Sequence, residues 1–95
     1  MASEPTVELL AALEKTVVLL QRSGEERWAK WLEKDLKLIE AQDFYGIEHL
    51  LQAFGGMGSL SDLVLADTSS NEELHSLRSQ LYKLGSALRR ARARE

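Results

Sequence analysis

Apolar positions in this chain recur every three or four residues, the period of a helix lying against a core. Leu10, Leu13, Val17 and Leu20 form the first stripe, widened by Leu9, Val18 and Leu19. Glu4-Pro5-Thr6 precedes it, and proline suits a first helical turn because its missing N–H would find no partner there anyway. Gly24 marks the end, so the spacing predicts a first helix from Pro5 to Arg22. A second helix, Glu25 to Gln42, carries Trp28, Trp31, Leu32, Leu36 and Ile39 on its apolar side, with Leu38 at the edge. The connection at Gly24 is so short that the two helices must be antiparallel neighbours.

Asp43 offers a cap for a third helix, Phe44 to Phe54, whose apolar positions are Phe44, Ile47, Leu50, Leu51 and Phe54. Gly46 weakens that helix by about 1 kcal/mol relative to alanine, which points to a packing reason for its presence. Gly55-Gly56-Met57-Gly58 breaks the helix. Ser59 is read as the cap of a short turn, with Asp62 completing an acidic capping box, and Leu60, Leu63, Val64 and Leu65 as a segment pinned to the core. Asp67 to Asn71 reads as a linker, and Ser70 with Glu73 (or Ser69 with Glu72) as the capping box of a last helix ending near Ala91. Leu74, Leu77, Leu81, Leu84 and Leu88 run through it at +3, +4, +3, +4, a heptad seam. The fold class that follows is all-α: a small antiparallel bundle of three to four helices with a glycine-rich corner, one domain over residues 1–95, its arginine-rich end at 89–95 frayed.

Composition narrows the chemistry. Among 95 residues there is no cysteine and there are two histidines, which removes thiolate metal sites, cysteine nucleophiles and histidine-rich cages. The net charge is −3, divided as −6 over residues 1–70 and +3 over residues 71–95. Nucleic acid is therefore an unfavoured partner, and Arg89, Arg90, Arg92 and Arg94 already have a role beside the negative end of the last helix dipole. No apolar run approaches the length of a membrane span, and the start of the chain lacks the pattern of a secretory signal, so a cytoplasmic location is expected.

The stretch Gly55 to Asp62 invites an anion-site reading, because glycines let backbone N–H groups converge ahead of a helix. No lysine follows them, the preceding segment is helical, and Asp62 occupies the electropositive spot a phosphate needs, so a structural corner is the better expectation. Trp31 and Asp35 share a helix face, where a buried carboxylate would have a raised pKa. The plainer role for Asp35 is to accept a hydrogen bond from an indole or a lysine. His49 and His75 have no metal-spaced partners and are expected at the helix surface or boundary. The candidate functional corner is thus Trp31, Asp35, His49, Gly55, Gly56, Gly58, Ser59 and Asp62, with no cofactor and no metal expected.

W-A-K-W-L at 28–32 and G-I-E-H-L-L-Q-A-F-G-G-M-G-S-L-S-D-L-V-L at 46–65 resemble a family of short, predominantly bacterial proteins without an established function, as does the asparagine-led start of the last helix at Asn71. The resemblance implies a small helical protein and transfers no catalytic residue. The expected function is that of a non-enzymatic protein-binding module, with toxin neutralisation its narrowest form. The alternative is a small-molecule or anion-binding protein, or a minimal enzyme, using the Gly55–Asp62 corner with Trp31 and Asp35. A monomer is expected to use the leucine seam internally; a homodimer through Leu74, Leu77, Leu81, Leu84 and Leu88 would be antiparallel, to bring Glu72 and Glu73 near Arg89 and Arg90.

Overall fold

A computed structural model describes residues 3–55 and 58–93. The elements are α1 (Glu4–Arg22), α2 (Glu26–Glu40), α3 (Tyr45–Leu51), a 3-10 turn at Leu60–Asp62 and α4 (Thr68–Ala93). Each helix packs on two others, in the cycle α1–α2–α3–α4–α1, giving an all-α bundle. Among the described residues, no helix is long and apolar enough to cross a membrane.

Ser3 caps α1 by accepting the Thr6 N–H, and Pro5 sits in the first turn as expected. The core face of α1 is Leu9, Ala12, Leu13, Thr16, Val17, Leu19 and Leu20, whereas Val18 is exposed. Thr16 is tolerated in the core because its hydroxyl donates to the Ala12 carbonyl at 2.7 Å. The helix closes with Gly24 N–H donating to Gln21 O and Glu25 N–H donating to Leu20 O, a Schellman turn with Gly24 in the left-handed region at φ +79°.

The same closure ends α2 two residues short of the expected Gln42. Gln42 N–H donates to Ile39 O and Asp43 N–H donates to Leu38 O. The left-handed residue here is Gln42 itself, at φ +63°, and no glycine signalled it. Asp43 Oδ1 accepts the Tyr45 N–H at 3.0 Å just ahead of α3, but the cap position is Phe44, one residue later than expected, and its side chain makes no capping bond. That helix is shorter than its apolar spacing implies. Ala53 N–H donates to Leu50 O and Phe54 N–H to Leu51 O, so the segment after Leu51 winds as tight i−3 turns instead of α-helix.

The last helix starts earlier than Ser69 or Ser70. Asp67 Oδ2 accepts the Ser70 N–H at 2.9 Å and is the cap, so the segment read as a linker from Thr68 onward forms its first turn. Those 26 residues reach about 39 Å at 1.5 Å each, close to the 42 Å long dimension of the molecule. Leu74, Leu77 and Leu81 are buried, and Leu84 and Leu88 pack partly buried against the same core. The heptad seam is thus occupied within the chain, largely by α1. Trp28 belongs to that core, while Trp31, Phe44 and Phe54 pack at its margin.

Candidate functional site

The predicted site residues fall into two places. The first is the crossing of α3 over α2. Gly46 sits against α2 so closely that a Cβ would stand 2.8 Å from Leu38 Cβ and Ile39 Cγ1 and 3.1 Å from the Asp35 carbonyl oxygen. This close approach is the packing reason for a glycine within the helix. One turn later, His49 lands on Asp35, and its Nδ1 hydrogen-bonds Asp35 Oδ1. Asp35 is fully buried and its Oδ2 has no partner, while His49 is 9% exposed.

Both groups are pushed toward their neutral forms. Burial raises the Asp35 carboxyl to about 8, against the opposing pull of the Lys34 charge. Burial also lowers His49 below its ordinary value, and the charge of Lys34 acts in the same direction. At neutral pH the pair therefore carries no net charge, with one proton held between Oδ1 and Nδ1. Trp31 stacks on the imidazole with ring centroids 4.1 Å apart, and Tyr45 approaches it at 5.8 Å. The Trp31 indole N–H donates to the His49 backbone carbonyl at 3.2 Å. The expectation that Asp35 would accept from an indole or lysine is corrected: its partner is His49. The boundary role expected for His49 is corrected too, because the Gly46 approach carries it inward. His75 is exposed, as expected.

The second place is the glycine corner. Gly55 and Gly58 adopt φ +107° and +78°, and a Cβ on either would meet nothing within 4 Å, so backbone conformation alone asks for glycine. Gly56, like Met57, lies outside the described residues. Asp62 Oδ2 accepts the Gly58 N–H at 3.0 Å, one residue earlier than a capping box on Ser59 would require. Ser59 does not cap; its hydroxyl is buried without a partner. Leu60 is fully buried, and its N–H donates to Ala53 O at 2.9 Å, closing the loop.

Two residues of α4 outside the expected site residues fasten this corner. Arg78 Nη1 donates to the carbonyls of Leu60 and Leu63 at 2.9 Å and of Ser61 at 3.3 Å. Asn71 holds Leu65 from both sides, accepting its N–H at 2.6 Å and donating to its carbonyl at 2.7 Å. The only sequence signal for Arg78 was a cation flanking the seam, and for Asn71 its place at the head of the last helix. Among the described residues, no hydrogen bond or ring contact joins Trp31, Asp35 or His49 to Gly55, Gly58, Ser59 or Asp62. No group of three potential metal ligands occurs among them either.

The corner also carries a surface feature. Phe54 and the 53%-exposed Tyr82 stand with ring centroids 5.5 Å apart, and two shallow adjoining grooves of about 270 and 320 Å³ share Phe54, Ser61 and Tyr82 in their walls. His75 and Arg78 border the first of them.

No curated protein and no solved structure matches the chain. A family model described as a domain of unknown function, DUF6966, matches residues 21–73, which include α2, the Asp35–His49 pair, the glycine corner and Asn71. With more than half of its length matched, the chain belongs to the DUF6966 family.

Proposed function

We propose that the chain is a non-enzymatic protein-binding module whose partner docks on the aromatic shelf formed by Phe54 and Tyr82. The observation that carries this reading is the exposed ring pair itself, held beside the clamped corner. Aromatic residues and arginine are the side chains that concentrate binding energy at protein interfaces. Clamping by Arg78 and Asn71 also holds the Leu60, Ser61, Leu63 and Leu65 main chain beside the shelf, so that segment needs little ordering on binding. Neutralisation of a toxin is the narrowest form of the reading.

A photo-crosslinking amino acid at position 82, with position 18 on α1 as the control, tests it in the source cell. The expected result is one discrete crosslinked protein at position 82 that disappears when excess unmodified protein competes. Equal labelling at both positions, or none at 82, would overturn it.

A further inference from the structure

We propose that the outer face of α2 is an electrostatic docking surface for an acidic helical segment of a partner protein. It lies on different residues from the aromatic shelf and does not depend on it. Arg27, Lys30, Lys34 and Lys37 follow one another at +3, +4, +3, which sets four cations on one stripe of the helix. They are four of the six cations in the first 70 residues, a region whose net charge is −6. All four side chains are exposed, and among the described residues none forms an ion pair. Arg27 lies 5.1 Å from the Trp28 ring and Lys34 Nζ 5.9 Å from the Tyr45 ring. Such contacts orient a cation without neutralising it. The three lysines border a shallow groove of about 370 Å³, with Glu33 among them in its wall and Leu38 as its apolar edge.

A second row of charge selects the occupant. Glu26, Glu33 and Glu40 run beside the cations at +7 and +7. A nucleic-acid strand laid along α2 would bring uniform phosphate charge against this row as well as against the lysines. A helix can match both rows, with carboxylates over the lysines and cations or neutral polar groups over the glutamates. An apolar position on that helix would meet Leu38 and the half-exposed Tyr45.

Binding is read by the anisotropy of a fluorophore on the probe, which responds whether or not the largely buried tryptophans of α2 do. The probe is a synthetic amphipathic peptide of glutamate, leucine and alanine with glutamates at the +4, +3 spacing. Its comparators are the same peptide with glutamine for glutamate and an oligothymidine strand. The expected result is saturable binding of the acidic peptide that weakens about tenfold or more from low to high salt. Binding should also fall at least about tenfold in Lys30→Gln/Lys34→Gln/Lys37→Gln, by the loss of facing charges, and stay unchanged in Tyr82→Ala. Circular dichroism checks that the triple variant keeps its helices. The proposal is overturned by any of four results: no response of the wild-type chain, equal binding by the triple variant, tighter binding of oligothymidine, or sedimentation showing that a second copy of the chain occupies the lysine face.

Discussion

The α2–α3 crossing and the junction between the glycine corner and α4 both fasten a short element to a longer helix, with opposite chemistry. At the crossing, two ionisable side chains meet in a buried place, and Asp35 is fully enclosed with one oxygen unpartnered. At the corner, an amide and a guanidinium reach out from α4 to main-chain carbonyls and an N–H. Asn71 does not titrate and Arg78 keeps its charge at any ordinary pH, although burial lowers its pKa somewhat. The crossing therefore responds to pH and to packing depth, while the corner responds to loss of hydrogen bonds. A polar pair in a core needs the right depth; a clamp on loop backbone needs only reach.

The largest way to break the contrast is Gly46→Val. Its Cβ would press on the Leu38 and Ile39 side chains and approach the Asp35 main chain, so α3 must lift away from α2. A loss of about 3 kcal/mol is expected in urea unfolding, in the upper range for overpacking. The His49 ring resonances should lose the shift caused by Trp31. At the other junction, Asn71→Ala leaves the Leu65 N–H and carbonyl without their partner. An expected cost of about 2 kcal/mol, the same at every pH between 6 and 8, separates the corner from the crossing.

Stability against pH sharpens the comparison next. The native chain keeps the Asp35 proton up to about 8, while the unfolded chain loses it near 3.8, so this group makes stability fall as pH rises between those values. His49 acts in the opposite sense only below 6.5, where the unfolded imidazole binds a proton that the native one resists. Above pH 7, where the unfolded imidazole is mostly neutral, the Asp35 effect dominates, and stability should drop by about 1 kcal/mol between pH 7 and 8. Denaturant midpoints at three pH values measure it. The slope should vanish in Asp35→Asn and persist in Asn71→Ala.

The smallest effect concerns the turn that delivers α3. Gln42 holds a left-handed backbone at φ +63°, a conformation that costs a non-glycine residue about 1 kcal/mol. Gln42→Gly should therefore stabilise the chain by about 0.5–1 kcal/mol in thermal unfolding, because glycine adopts this conformation without a Cβ penalty. Among the described residues of the corner there is no equivalent gain, since its positive-φ positions there, Gly55 and Gly58, are already glycine.

What sequence made legible differs between these regions for the same reason. The α1 end at Gly24 was readable because glycine announces a Schellman turn; the α2 end was misplaced because glutamine does not. Asp62 was correctly read as accepting a backbone N–H at the corner, but the register was off by one residue and Ser59 was given a cap it does not make. Trp31, Asp35 and His49 are each candidates by residue type, yet nothing in their spacing pairs residue 35 with residue 49. A glycine within α3 asks for a packing reason, and that reason is what brings the pair together.

By itself, then, the sequence determined the helices, the inward use of most apolar stripes and the break at the glycines, because each depends on residues within a turn or two of one another. The tertiary structure alone decided that Asp35 meets His49, that Arg78 and Asn71 fasten the corner and that Phe54 stands against Tyr82. Those contacts join residues from 6 to 28 positions apart in the chain. Contacts within a helix follow from backbone geometry. Contacts between elements follow from how deep and at what angle the elements pack, and at the crossing that depth is set by the missing side chain of Gly46.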